Sequence, residues 1–168
     1  MEQNNTFVDK IKQSSIQDFI KGVRGYAGEI TMDVDAEHIQ EVIAFLKDQH
    51  GYIYLADISG IDHYTDELRF EVSYNLVNLE ARTRLRVSCR VDEEKPEIDS
   101  ITSIFKAADW FEREVFDMMG ITFANHPDMR RMYMPEDYEF FPLRKEFPLL
   151  GIPGSIPLPE KDPPKAYN

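Results

Sequence analysis

This 168-residue chain has a single cysteine, Cys89. One thiol allows no disulfide framework, and no iron–sulfur cluster can be held by this chain's own thiolates. Long apolar runs are missing as well. The longest stretch free of Asp, Glu, Lys and Arg is Phe147–Pro159, and Pro148, Pro153, Pro157 and Pro159 keep it from crossing a bilayer as a helix. Met1–Ser15 is polar and mixed in charge, without the apolar core of a secretory leader. Positive charge is scarce: 19 Lys and Arg against 31 Asp and Glu leave a net charge of −12. That sign argues against a general binder of nucleic acid or anionic membrane. Gly22, Gly25 and Gly28 are spaced by three without a preceding strand or a following Lys-Ser/Thr, so no phosphate loop is expected. The expectation is a soluble protein of a reducing compartment.

Apolar residues reach 42% with eleven Phe and eight Tyr, enough to seed a core. From Ser15, the residues Ile16, Phe19, Ile20 and Val23 recur at helical spacing, weakened by Gly22 and Gly25. Gly28–Val34 alternates, with Ile30, Met32 and Val34 on one side, and predicts a half-buried strand. Asp35 is placed to cap a helix whose stripe is Ile39, Val42, Ile43 and Leu46, ending near Gly51. Three β-rich runs follow, Tyr52–Ile58, Leu68–Val77 and Ala81–Val91, the last two spaced as a hairpin. Arg69, Glu71, Arg84, Arg86 and Arg90 fall at outward positions and predict one wet face. A charged turn, Asp92–Pro96, leads to a helical region from about Ser100 to Met119, closed by Gly120. Seven of the ten prolines lie in 136–168, which excludes a regular helix or central strand there. The expected fold is α+β: a largely antiparallel sheet with helices packed on one face, then an extended proline-rich C-terminal tail. The expected division is a domain over 1–150 and a tail over 151–168.

On a helical wheel, Phe111, Val115, Met118 and Met119 form an apolar arc with Ala107, Ala108 and Trp110, while Asp109, Arg113 and Asp117 stack opposite. Glu114 falls inside the arc and Phe116 among the charges. Glu114 is therefore expected to be substantially buried with an Arg or backbone donors as partner, Arg130, Arg131 or Arg144 being the nearest candidates. More generally, the acids over 112–117 are expected to pair with the arginines of the 125–131 loop and the 141–148 segment. Metal chemistry has weak support: Glu112, Glu114 and Asp117 lack an accompanying Glu-x-x-His, and His38, His50, His63 and His126 are scattered. His126 reads as a hydrogen-bonding loop residue and Cys89 as packing. From residues alone this is a noncatalytic interaction domain, with a small enzyme built on the acidic cluster as the alternative of another class.

Three runs carry a resemblance: Trp110–Ile121 (Trp-Phe-Glu-Arg-Glu-Val-Phe-Asp-Met-Met-Gly-Ile), His126–Arg131 (His-Pro-Asp-Met-Arg-Arg) and Pro142–Lys145 (Pro-Leu-Arg-Lys). They resemble the 30 kDa subunit family of respiratory complex I, whose bacterial members are the C subunits of NADH-quinone oxidoreductase. The family pattern is met by Glu112-Arg113-Glu114, Asp117, Met118-Met119, His126, Arg130, Met132 and Met134. The resemblance implies a structural, noncatalytic subunit of a peripheral arm. Its partners would be the 49 kDa-type subunit (the D subunit), the subunit with the terminal iron–sulfur cluster (the B subunit) and other arm subunits. NADH, FMN, the iron–sulfur clusters and quinone would belong to those partners, so no cofactor or metal is expected in this chain. Glu112, Arg113, Glu114, Phe116, Asp117, His126, Arg130, Arg131, Pro142, Arg144 and Lys145 would be interface or architectural residues. The implied location is the cytoplasmic face of a bacterial inner membrane, peripheral and held through the complex. Relatives in hydrogenase-type membrane complexes give the same-family alternative. The tail, Gly151–Asn168, would be a strap laid over partner subunits.

Overall fold

Alternating segments in the N-terminal half pair into one sheet. The computed structural model describes residues 11, 13–64 and 67–155. The elements are β1 (Ile20–Tyr26), β2 (Glu29–Val34), α1 (Ile39–His50), β3 (Tyr54–Asp62), β4 (Phe70–Asn78) and β5 (Thr83–Val91). Strand order is β1-β2-β5-β4-β3. The pairs β1–β2, β5–β4 and β4–β3 are antiparallel, whereas β2–β5 is parallel with Met32 opposite Val87. The largely antiparallel sheet expected from the pattern is present, with one parallel seam inside it. Then come β6 (Glu97–Asp99), α2 (Ala108–Met119) and β7 (Thr122–Ala124), β6 and β7 pairing in parallel as a separate two-stranded sheet.

Register decides where the core lies. Val72 sits between Gly60 and Cys89, Tyr74 between Ile58 and Val87, Leu76 between Leu55 and Leu85. Apart from Gly60 these residues are buried, so one face of the sheet is continuously apolar. Ile39, Val42, Ile43 and Leu46 of α1 are fully buried in the same cluster, each contributing on the order of 1.5–3 kcal/mol. Helix α2 covers β3: a Cβ on Gly60 would lie 3.0 Å from Met119 and 3.1 Å from Val115. Since Gly60 shares its row with Val72, both helices cover the same face. Each helix ends on a left-handed glycine, Gly51 (φ 68°) and Gly120 (φ 74°).

Several expectations are corrected. The segment from Ser15 makes a single 3₁₀ turn, Gln17–Phe19, and then strand β1, with no helix. Gly22 and Gly25 each disfavour a helix by about 1 kcal/mol, while Ala27 (φ 49°) and Gly28 (φ 86°) supply the two-residue turn that pairs β1 with β2. Asp35 gives no side-chain cap; a 3₁₀ turn at Ala36–His38 leads into α1, and Asp35 faces Lys21 at 3.4 Å. Arg69 and Glu71, expected in water, are buried. Glu71 accepts from the Ser88 hydroxyl (2.5 Å) and lies 2.8 Å from His63 Nε2, with Arg90 Nε at 3.6 Å. Burial alone would raise its pKa, but these donors outweigh that and hold the carboxyl below its usual range. The helix begins at Ala108 rather than near Ser100, because β6 and two turns come first. Cys89 is buried, as expected of packing. Burial raises its thiol pKa, which keeps it protonated.

Among the described residues, the chain after Ala124 adds neither helix nor strand. It is nonetheless anchored to the domain: Tyr138 is buried and packs edge-on against Phe140. Of the expected tail, 151–155 forms turns, with the Ser155 hydroxyl 3.4 Å from that of Tyr138. Residues 156–168 lie outside the described residues.

Candidate interaction site

The C-terminal turn of α2 leaves carbonyls with no partner inside the helix. Gly120 N–H donates to the Phe116 carbonyl (2.8 Å) and Arg131 Nη1 to that of Asp117 (3.1 Å). Leu143 N–H donates to the Met118 carbonyl (3.1 Å) and Arg144 Nε to that of Met119 (2.7 Å). Two loop segments thus finish one helix, and their cations sit at its negative end. Gly120 is required twice here. Besides its φ, a Cβ would lie 2.6 Å from both Arg144 Nη2 and Phe141. Arg144 is sandwiched between the rings of Phe70 and Phe141, 4.9 and 4.5 Å from their centres.

Asp117 organises the next segment. Its Oδ2 accepts N–H bonds from Met132 (3.0 Å), Tyr133 (2.6 Å) and Met134 (3.0 Å), and its Oδ1 accepts from Arg131 (2.7 Å). Its carboxylate is fully buried, which would push its pKa up, yet the four donors prevail and hold it below the usual value. Arg113 donates to the carbonyls of Arg130 (3.1 Å) and Arg131 (3.5 Å) and lies over Trp110. The 130–134 loop has its own polar groups satisfied by an acid and an arginine one helical turn apart.

Glu112 is also wholly buried. Its Oε1 accepts from Ile101 N–H (2.7 Å), whereas Oε2 has no hydrogen-bond partner. Burial raises its pKa to about 7, with Asp109 adding to the rise and donation from Ser100 and Ile101 opposing it. The His126 ring is fully buried beside it, with Nε2 3.2 Å from the Asp109 carbonyl and 3.9 Å from Glu112 Oε2. His126 is a hydrogen-bonding loop residue, as read from the sequence.

The expected pairing of helix acids with loop arginines holds for Asp117 with Arg131. Glu114 is corrected: it is exposed in this chain, and the buried acids are Glu112 and Asp117. Trp110 explains the error. It is 59% exposed, so the apolar arc on which Glu114 was placed is itself partly at the surface. Phe116 is half-buried. Among the described residues, Arg130 pairs only locally, with Asp128. Pro142 is half-buried, and Lys145 contributes its backbone N–H to Asp62 (2.8 Å).

Sequence reading missed a second hub, which holds the 141–148 segment. Buried Arg69 makes a two-pronged pair with Asp62 (2.7 and 2.8 Å) and also bonds Glu93 (2.5 Å) and Glu146. Those bonds hold the Asp62 carboxyl far below its normal range. The partners lie 7, 24 and 77 residues away, so no local spacing could show them. Helix α2 and the chain after it also expose apolar side chains: Trp110, Tyr133, Leu143, and the nearly fully exposed Leu149 and Leu150. No group of three metal-ligating side chains occurs among the described residues. No helix among them is long and apolar enough to cross a membrane.

Residues 32–152 match the model of a family described as the 30 Kd subunit of respiratory-chain NADH dehydrogenase. The chain is 39% identical over 158 residues to the C subunit of NADH-quinone oxidoreductase from Geobacter metallireducens, covering 94% of this chain and 96% of that one. It is 45% identical over 134 residues to the C 2 subunit of the same enzyme from Rhizobium etli, covering 78% of this chain and 71% of the relative. Among solved structures it resembles the trypsin-resistant fragment (1–134) of Nqo5, with a TM-score of 0.64 and 30% identity over 72% of this chain and 98% of that one. A polypeptide of an archaeal membrane-bound sulfane sulfur reductase shares the fold, with a TM-score of 0.75 at 24% identity over 88% of this chain and 87% of that one.

Proposed function

This chain belongs to the 30 kDa subunit family of respiratory-chain NADH dehydrogenase, and from that premise we propose that it is a structural, noncatalytic subunit of the enzyme's peripheral arm. In this reading it docks beside the 49 kDa-type subunit that forms the quinone pocket and near the subunit with the terminal iron–sulfur cluster. It holds no cofactor itself; flavin, clusters, NADH and quinone belong to its neighbours. Its place is the cytoplasmic face of a bacterial inner membrane, reached through the complex.

One observation carries the reading. The polar groups around the end of α2 are largely satisfied within the chain, while Trp110, Tyr133, Leu143, Leu149 and Leu150 remain exposed. Such an arrangement suits a preformed docking surface better than a reaction centre. Arg113, Asp117, Arg131 and Arg144 act as its scaffold.

The test replaces Leu149 and Leu150 together by Ser in the native strain. Intact complex and NADH:quinone activity of membranes should fall several-fold, while the purified variant chain keeps its far-UV spectrum and melting temperature. Unchanged complex yield overturns the docking surface. Turnover by the purified chain alone would overturn the noncatalytic role. The co-purifying proteins decide the setting: NADH-binding flavoprotein subunits fit this proposal, and a nickel hydrogenase subunit would replace it by the hydrogenase-type alternative.

A further inference from the structure

The junction between α2 and the 125–131 loop contains a charge problem. Glu112 Oε2 is buried without a donor, and Asp109 Oδ1 beside it is buried without a hydrogen bond. The groups facing them come from every neighbouring element. Helix α2 supplies Asp109, and the segment from β6 supplies Ser100 and Ile101 N–H; Asp99 of β6 and Tyr74 of β4 lie close enough to feel one another's charge. The Tyr74 hydroxyl is itself buried and unpartnered and feels Glu112 and Cys89. The 125–131 loop supplies His126, whose Nε2 lies 3.4 Å from Asp109 Oδ1 and 3.9 Å from Glu112 Oε2.

Among the described residues only His126 could bring a positive charge within 4 Å of Glu112. Its hydrogen bonds forbid that. Asp128 N–H donates to His126 Nδ1 (3.0 Å), so Nδ1 must be unprotonated. The one ring proton is then on Nε2, pointing to the Asp109 carbonyl at 3.2 Å. An imidazolium would set two N–H groups against each other at Nδ1. Glu112 is left with a neutral neighbour and no ion partner, in a place where an unpaired carboxylate is strongly disfavoured.

We propose that Glu112 is a proton-binding site, held as a neutral carboxylic acid near neutral pH with its proton on Oε2 while His126 stays a neutral Nε2–H imidazole. The proton comes from solvent and returns to it, and no bond other than O–H changes. The raised pKa from burial supports the same assignment. Losing the proton leaves an unpaired carboxylate beside Asp109 and a neutral ring, which favours moving the loop off the helix. The loop that delivers Arg131 to Asp117 is then loosened, so the proton works as a latch on that loop.

The test is carboxyl-carbon NMR of the full chain labelled at glutamate δ-carbons, followed from pH 5 to 9, with nitrogen shifts of labelled histidine. One glutamate should titrate near pH 7 instead of near 4.5, and that signal should vanish in Glu112→Gln. The His126 nitrogens should show the Nε2–H tautomer, with Nδ1 accepting from Asp128. If Glu112→Gln does not fold, the infrared band of a protonated carboxyl in the native chain, present at pH 6 and lost by pH 9, gives the same answer. A Glu112 signal already in the carboxylate position at pH 6, or a proton on His126 Nδ1, overturns the proposal.

Discussion

Asp117 and Glu112 lie on one helix, five positions apart, and each is wholly buried, yet their carboxyl groups are driven in opposite directions. The environment of Asp117 supplies three backbone N–H groups and a guanidinium; that of Glu112 supplies one backbone N–H, a hydroxyl and a second carboxyl nearby. Burial raises both. What separates them is the number of donors reaching the oxygens, and that number is set by loops, since the helix's own N–H groups are already engaged.

The comparison breaks most visibly at Asp117. Asp117→Ala removes the buried acceptor shared by Arg131 and the N–H groups of Met132, Tyr133 and Met134, and should cost on the order of 3–5 kcal/mol in denaturant unfolding. A loss below about 1 kcal/mol would mean that the loop does not depend on this carboxylate. Gly120→Ala comes next. It strains a φ of 74° and pushes Arg144 and Phe141 off the helix end, so the melting temperature should drop by at least the equivalent of about 1–2 kcal/mol.

Acidity sharpens the contrast. Asp117 has a folded pKa below its unfolded one, so its stabilisation is present above the unfolded pKa and is lost as pH falls. Glu112 has a folded pKa of about 7 against 4.5, so its contribution is full below pH 4.5 and disappears as pH rises through 7. Unfolding free energies of the native chain and Glu112→Gln, compared from pH 5 to 8, should differ in slope, the native chain losing more toward pH 8. Parallel lines would place Glu112 on the side of Asp117. The smallest effect belongs to Glu114. Exposed as it is, Glu114→Ala should change the stability of the isolated chain by no more than about 0.5 kcal/mol, measured by urea titration.

Much of this fold is visible in the chain's patterning. The stripe Ile39, Val42, Ile43 and Leu46, the alternation of β2 and the β4–β5 hairpin follow from period alone. The segment around Ile20 misleads because Ile16, Phe19, Ile20 and Val23 fall at helical spacing although they run from a 3₁₀ turn into a strand whose pairing is set by the Ala27-Gly28 turn. At the site, spacing identifies the helix and the arginines but cannot tell Glu112 from Glu114. That choice depends on how the helix is rotated against β3 and on what Ile101 and His126 bring up to it. Arg69 is less legible still, its Glu146 partner lying 77 residues away.

The loop-capped end of α2 also bears on how the chain is made. Met119 and the Arg144 that bonds its carbonyl are 25 residues apart, so a ribosome adding about 5–20 residues per second separates them by roughly 1–5 s. During that interval the end of α2 lacks Arg144, and Arg69 lacks Glu146. The last turn of α2 is therefore completed late. A released chain truncated before Arg144 would keep an unfinished helix end, a surface that chaperones or premature partners can meet and that the finished protein no longer offers.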